Sequence, residues 1–130
     1  HEMKTLLDTH ALLWLLTGDE RLSETARKIF LDQENRLFFS MTSLWEICIK
    51  MSLGKLSLKR EWLKTIQDEM KINAIHWLPI EIKHCAELTK LPFHHRDPFD
   101  RMLIAQAMVE DMLLLSRDTR LSDYEITRVW

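Results

Sequence analysis

The chain has 130 residues, 46% of them hydrophobic and 29% charged, and carries a formal charge of -2 from 18 basic and 20 acidic side chains. This is the length of one ordinary domain, enough for a continuous core but too short for two, and the composition excludes disordered and fibrous classes. No global positive field draws the chain toward nucleic acid or anionic lipid, so any RNA contact must use a local basic patch.

In chain order, residues 4–7 form a short apolar strand that stops at Asp8, and residues 11–16 read as a helix. After the turn at Gly18 and Asp19, Ser23 caps a second helix that carries Ala26, Ile29 and Phe30 at helical spacing. Residues 36–40 make a second strand. Ser43 then starts a third helix, with Leu44, Ile47, Cys48 and Met51 three and four apart, and Gly54 stops it. Residues 59–71 form a fourth helix with Trp62, Ile66 and Met70 on one face, and residues 74–78 form a third strand. Pro79 opens a helix that runs to Leu88, and a loop with Pro92, His94 and His95 follows. Asp97-Pro98 begins the best-marked helix, which reaches Glu110 and is apolar almost all round. Residues 112–115 are a buried fourth strand, and residues 125–129 offer a short fifth. Strands alternating with helices give an α/β domain whose parallel sheet, of four to five strands, is covered on both faces.

Four acids stand out. In open α/β sheets ligands bind beyond the carboxyl ends of the strands. Asp8 directly follows the first strand, Asp118 follows the fourth in Ser116-Arg117-Asp118, and Glu46 and Asp100 sit in first helical turns. Each also has a local explanation. Ser43-Leu44-Trp45-Glu46 fits a capping box, and Asp97-Pro98-Phe99-Asp100 places Asp97 at the N-cap, Pro98 at N1 and Asp100 at N3. Asp8 and Asp118 fit caps or turns as well. Capping does not require four acids from separate segments to converge on one edge, however. Converging carboxylates repel unless a cation lies among them, and hard oxygen donors suit Mg²⁺ or Mn²⁺. Hydrolysis of a phosphodiester needs such a metal to activate water and neutralise the phosphate.

These residues resemble the PIN domain and, within it, the VapC-type toxins of prokaryotic toxin-antitoxin modules. The marks are Leu6-Leu7-Asp8-Thr9-His10 with Leu12-Leu13-Trp14; Ser43-Leu44-Trp45-Glu46-Ile47 with Lys50 and Gly54-Lys55-Leu56; His95-Arg96-Asp97-Pro98-Phe99-Asp100-Arg101 leading into Leu103-Ile104-Ala105-Gln106-Ala107; and Leu115-Ser116-Arg117-Asp118. The resemblance implies a three-layer α/β/α fold and a Mg²⁺-dependent endoribonuclease, with Mn²⁺ able to substitute, in which Asp8 and Asp100 ligate the metal and Glu46 and Asp118 complete the site directly or through water. It gives Ser116 the role of orienting a phosphate or water. Asp97 competes with Asp100, but its place before Pro98 favours an extended N-cap and leaves it a supporting role. The resemblance also implies a homodimer and a cognate antitoxin whose segment wraps the toxin and blocks the acidic site.

Arg96, Arg101, Arg117 and Arg120 flank the acids and can grip backbone phosphates, or can form exposed ion pairs instead. The histidines lack paired zinc-ligand spacing, and His94-His95-Arg96 reads as a solvated loop. Trp14 and Trp45 read as core packing, with a partner groove as the alternative. Only Cys48 and Cys85 occur, far apart, which suits a reducing compartment, and no apolar run approaches the ~18 residues that span a bilayer. A cytoplasmic protein with no membrane partner is expected. His1 and Glu2 precede a start at Met3 and look like a cloning remnant, so the domain is expected to occupy residues 3–130. Two rival functions remain. One is a non-catalytic PIN-fold module that binds RNA or protein. The other is a receiver-type phosphoryl-transfer domain, which should show paired acids after the first strand where Leu7-Asp8-Thr9 has one.

Overall fold

The computed structural model describes residues 3–130, so His1 and Glu2 lie outside the described residues. The elements run β1 (Met3–Leu7), α1 (Thr9–Thr17), α2 (Glu24–Leu31), β2 (Asn35–Ser40), α3 (Met41–Ser52), α4 (Trp62–Ile72), β3 (Ile75–Leu78), α5 (Ile82–Leu88), α6 (Pro98–Glu110), β4 (Leu113–Leu115), a 3-10 turn (Thr119–Asp123) and β5 (Arg128–Val129). The five strands form one sheet in the order β3-β2-β1-β4-β5, every neighbour parallel. This is the expected α/β architecture, with the fifth strand cut to two residues because the chain turns at Tyr124–Ile126 before entering it.

Alternation along the strands builds two cores, because successive side chains leave a strand on opposite faces. Leu7, Phe39 and Leu115 pack with Ala11, Leu12, Ala26, Ile47, Ile66 and Met70 from α1 to α4. Leu6 and Leu114 pack on the other face with Leu103, Ile104, Ala105 and Ala107 of α6 and with Leu121 and Tyr124. The result is three layers, and the sheet is apolar on both sides.

Several boundaries differ from expectation for local reasons. Asp8 caps α1 by accepting from the Thr9 amide, so the helix begins at Thr9 instead of at residue 11. The cap of α3 is Ser40, whose hydroxyl accepts from the Thr42 amide and donates to Gln106 Oε1. Ser43 therefore lies inside the helix, its buried hydroxyl without a partner among the described residues, and the Ser43–Glu46 capping box does not form. α4 starts at Trp62, and α5 starts at Ile82 rather than at Pro79. Gly54 takes φ +70 just after α3, where a side chain would be strained. Cys48 and Cys85 are exposed free thiols, and none of the helices among the described residues is long and apolar enough to cross a membrane.

Candidate active site

The strand order makes β1 the place where the winding reverses: the chain builds outward through β2 and β3 on one side, then returns to lay β4 and β5 on the other. The crevice beyond the carboxyl ends of β1 and β4 is thus the switch point at which this architecture binds ligands. Asp8 and Ser116 are the first residues past those two strands. Ser116 Oγ donates to Asp8 Oδ2 at 2.7 Å, and the Thr9 amide donates to Oδ1 at 2.6 Å. Burial nevertheless pushes the Asp8 carboxyl above its usual range, against the bonds from Ser116 and Thr9 and the charge of His10, with Glu46 adding to the rise. The Ser116 hydroxyl also accepts from the Asp118 amide at 3.1 Å, so one side chain joins both ends of the crevice.

Glu46 projects from α3 and is only 4% exposed. Its Oε1 accepts from Thr9 Oγ1 at 2.6 Å, and Lys50, one turn further on, places its ammonium 2.6 Å from Oε2. Withdrawal from water favours a neutral Lys50. The bond to Glu46 and the charges of Glu46, Asp97 and Asp100 outweigh it, so Lys50 is raised and stays cationic.

At the start of α6, Asp97 accepts from the amides of Phe99 and Asp100 and serves as the cap, with Pro98 in the first turn. That division of labour frees Asp100. Among the described residues its carboxylate takes no hydrogen bond, and its pKa is pushed up to about 7 by burial, then by the charges of Asp97, Asp8, Glu46 and Asp118. Asp118 is more exposed and already paired: its Oδ1 accepts from the backbone amide and Nε of Arg120, and its Oδ2 from Nη2 at 2.8 Å. The Arg120 side chain holds its carboxyl below the usual carboxylate range.

Asp8, Glu46, Asp97, Asp100 and Asp118 all line one cleft of ≈ 430 Å³, with His10, Trp14, Lys50, Arg117 and Arg120 on its walls. A larger hollow of ≈ 600 Å³ lies at the amino ends of β1 and β4, but its charged groups, Lys4, Asp111 and Glu125, form no carboxylate set. The chemistry favours the smaller cleft. Carboxylate oxygens are hard donors of the kind Mg²⁺ and Mn²⁺ take, and Asp8 and Asp100 are raised first by burial and then by the charges of neighbouring acids. The donor set fits a divalent cation. No three of the described cleft acids bring their oxygens within 4.8 Å of one another, in keeping with their repulsion.

The group that does meet that distance is Glu81, His84 and Glu110, where α5 packs on α6. Both imidazole nitrogens of His84 are engaged there: Nδ1 accepts from the Glu81 amide at 3.0 Å, and Nε2 lies 2.8 Å from Glu110 Oε2. Lys83 covers Glu110 at 2.9 Å. This is an interhelical clamp whose charges and hydrogen bonds are already matched.

Of the residues expected to meet phosphate, Arg117 and Arg120 line the cleft and Arg96 is exposed. Arg101 does not fit that role. It is buried on the far side of α6, donating to Pro92 O at 2.8 Å, Leu91 O at 3.4 Å and Tyr124 Oη at 3.3 Å, with Phe93 stacked 3.9 Å from its guanidinium. His95, expected in a solvated loop, is turned inward against Tyr124. Trp45, expected in the core, is 55% exposed and meets Phe99 in a T-shaped contact, while Trp14 is half-buried, packed against the core as expected and beside the cleft. In the sequence, Thr9 and Lys50 stand out only as parts of motifs. The i,i+4 spacing of Glu46 and Lys50 was the available signal for the second.

A doubly wound parallel sheet with carboxylates gathered at its switch point defines an α/β domain with an acidic cleft at the carboxyl ends of its strands. The sequence matches the PIN domain family model over residues 5–126, and the chain belongs to that family. Solved structures similar to it include VapBC2 from Rickettsia felis bound to a promoter DNA fragment, at TM-score 0.74, 14% identity and 98% coverage of both chains. DNA-bound VapBC from Salmonella typhimurium aligns at TM-score 0.68 and 14% identity over 98% of this chain and 97% of that one. A toxin-antitoxin complex from Klebsiella pneumoniae aligns at TM-score 0.61 and 15% identity over 97% and 96%. At these identities the likeness is one of fold. No curated protein matches the sequence.

Proposed function

We propose that residues 3–130 form one PIN domain that acts as a metal-dependent endoribonuclease, the toxin half of a toxin-antitoxin pair working in the cytoplasm. The observation that carries the reading is the convergence of Asp8, Glu46, Asp100 and Asp118 on one cleft, with Asp100 pushed up to about 7 by burial and its fellow acids. PIN family membership supports a nuclease. The toxin role and the antitoxin partner are carried over from the Klebsiella pneumoniae complex and the two VapBC structures. A homodimer is the assembly that the family resemblance implies.

Asp8 and Asp100 would hold the metal, with Glu46 and Asp118 completing the site directly or through water. When bound, Mg²⁺ or Mn²⁺ supplies an activated water and neutralises charge on the scissile phosphate. The chain's own residues do the rest. Ser116 and the Thr9 amide fix the plane of the Asp8 carboxylate. Thr9 and Lys50 fix both oxygens of Glu46. Arg117 and Arg120, on the cleft wall, supply positive charge for the phosphates on either side of the cut.

The test is cleavage of RNA by purified protein with Mg²⁺ or Mn²⁺, alongside Asp8→Asn and Asp100→Asn. Metal-dependent cleavage lost in both variants is the expected result, and equal cleavage by all three proteins overturns the assignment. A non-catalytic RNA- or protein-binding module would show no acid-dependent Mn²⁺ binding.

A further inference from the structure

His95 is the least explained residue near the cleft. Its side chain is only 10% exposed, and among the described residues both shielded ring nitrogens have no hydrogen-bond partner. A buried imidazole with neither nitrogen bonded is unfavourable, and such exceptions in a folded protein call for a cause. Asp100 Oδ2 lies 3.7 Å from Nε2. That is beyond a hydrogen bond, yet a shift of roughly 0.5 Å would close it to ordinary bonding distance.

The surroundings hold the ring in that place. Tyr124 meets it edge-on with centroids 5.2 Å apart, and the His95 amide points at Tyr124 Oη from 3.3 Å. Arg101, the residue after Asp100, bonds the same phenol oxygen and the carbonyls of Leu91 and Pro92. The segment that carries His95 is therefore pinned to the first turn of α6, the turn that carries Asp100. Ring and carboxylate share one frame.

We propose that His95 is a positioning residue for Asp100: its Nε2–H donates to Oδ2 and leaves Oδ1 to face the cleft. The inference rests on the metal-dependent reading of the site. Carboxylates that ligate metals are themselves held by hydrogen bonds, and loss of such a partner weakens metal binding or activity about 10- to 100-fold. A shielded donor beside the one cleft carboxylate that, among the described residues, accepts no hydrogen bond is placed for that work, whereas a merely space-filling ring needs no nitrogen there.

Mn²⁺ titration of the purified protein, followed by calorimetry or by the spin-resonance signal of free Mn²⁺, tests this without relying on turnover. His95→Ala should weaken Mn²⁺ binding by about tenfold or more, and His95→Gln, which returns an N–H near the place of Nε2, should recover most of the loss. His94→Ala removes the neighbouring ring, which also packs on Tyr124 but is exposed, and should bind Mn²⁺ like the wild type. In RNA cleavage, His95→Ala should lower kcat and leave KM nearly unchanged. Unaltered Mn²⁺ binding by His95→Ala, or a His95→Gln no better than His95→Ala, overturns the positioning role while the cleft keeps its metal. If the wild type binds no Mn²⁺, or Asp100→Asn binds it as well as the wild type, the metal reading falls and this inference with it.

Discussion

Lys50 Nζ sits 2.6 Å from Glu46 Oε2, one helical turn along α3, so the deepest acid of the cleft carries its own counter-ion. The Glu46 side chain is 6% exposed and the Lys50 side chain 35%, which makes the pair asymmetric: among the described residues, removal of Lys50 leaves a nearly buried charge with the Thr9 hydroxyl alone to hold it. Stranding a buried charge is more damaging than deleting both partners. Lys50→Met should therefore destabilise the metal-free protein by about 1–3 kcal/mol, the range for an unsatisfied buried group. Mn²⁺ should restore part of the loss by taking over the compensation. Urea unfolding in chelator and in Mn²⁺ measures both effects, and an unchanged midpoint in chelator would show that Lys50 does not neutralise Glu46.

Asp100 links the same electrostatics to pH. Its folded pKa of about 7 lies above the ordinary 3.8. Below the lower value both states hold the proton, and between the two the unfolded chain has released it while the fold retains it. Stability of the metal-free protein should then fall as pH rises through that window and level off above about 7, by a few kcal/mol at most. Asp8, raised mainly by burial, adds in the same direction. Asp118, lowered by Arg120, contributes stability that is present above its ordinary value and lost only in more acidic solution, outside this window. Asp100→Asn should flatten the slope and be more stable than the wild type near pH 8 in chelator. Urea midpoints at about pH 5 and about pH 8 decide it, and a wild type that gains stability across this range contradicts the reading.

How far the site could be read from the chain depended on the range of the interactions. Asp97-Pro98-Phe99-Asp100 announced its cap, its first-turn proline and its free acid because all of those contacts lie within one turn. The same logic failed at Ser43, where Ser40 and Ser43 both stand at capping positions. Gln106, distant in sequence, settles the choice by accepting from Ser40 Oγ at 2.5 Å. Arg101 misled for a related reason: an arginine beside an acid suggests phosphate contact, whereas α6 turns it toward the carbonyls of Leu91 and Pro92. The sheet was legible because the apolar runs and alternating helices left little choice of architecture. The inward turn of His95 was not, since its anchor, Tyr124, lies 29 residues away.

The four acids should not be equal in catalysis. Asp100 is enclosed and accepts no hydrogen bond among the described residues, whereas Asp118 is 27% exposed and shares both oxygens with Arg120. Asp118→Asn should lower kcat for RNA cleavage by about 10- to 100-fold, the range for a group that supports metal ligands, and Asp100→Asn by more. Arg120→Ala separates the two uses of Asp118: it frees the carboxylate for the metal while removing a phosphate contact, so Mn²⁺ should bind at least as tightly while KM for RNA rises. Weaker Mn²⁺ binding in Arg120→Ala would mean that the ion pair itself holds Asp118 in place.

Tyr124 ties the far side of α6 to the cleft through a single oxygen. The amides of His94 and His95 and the guanidinium of Arg101 all point at its Oη, at 3.2, 3.3 and 3.3 Å. Tyr124→Phe keeps the ring that packs on both histidines and with the core around Leu103 and Leu121, so only the acceptor is lost. Arg101 retains the Pro92 carbonyl, but the His95 amide has no second partner among the described residues, and leaving it unsatisfied costs about 1–3 kcal/mol. That loss should appear as a lowered urea midpoint without a change in slope, because the folded shape is unaltered. It should also loosen the frame that His95 shares with Asp100 and weaken Mn²⁺ binding in the same direction as His95→Ala, by a smaller factor, since the imidazole itself remains. A variant that loses stability yet binds Mn²⁺ as tightly as the wild type would separate the clamp from the site, leaving Tyr124 a purely structural anchor for the loop.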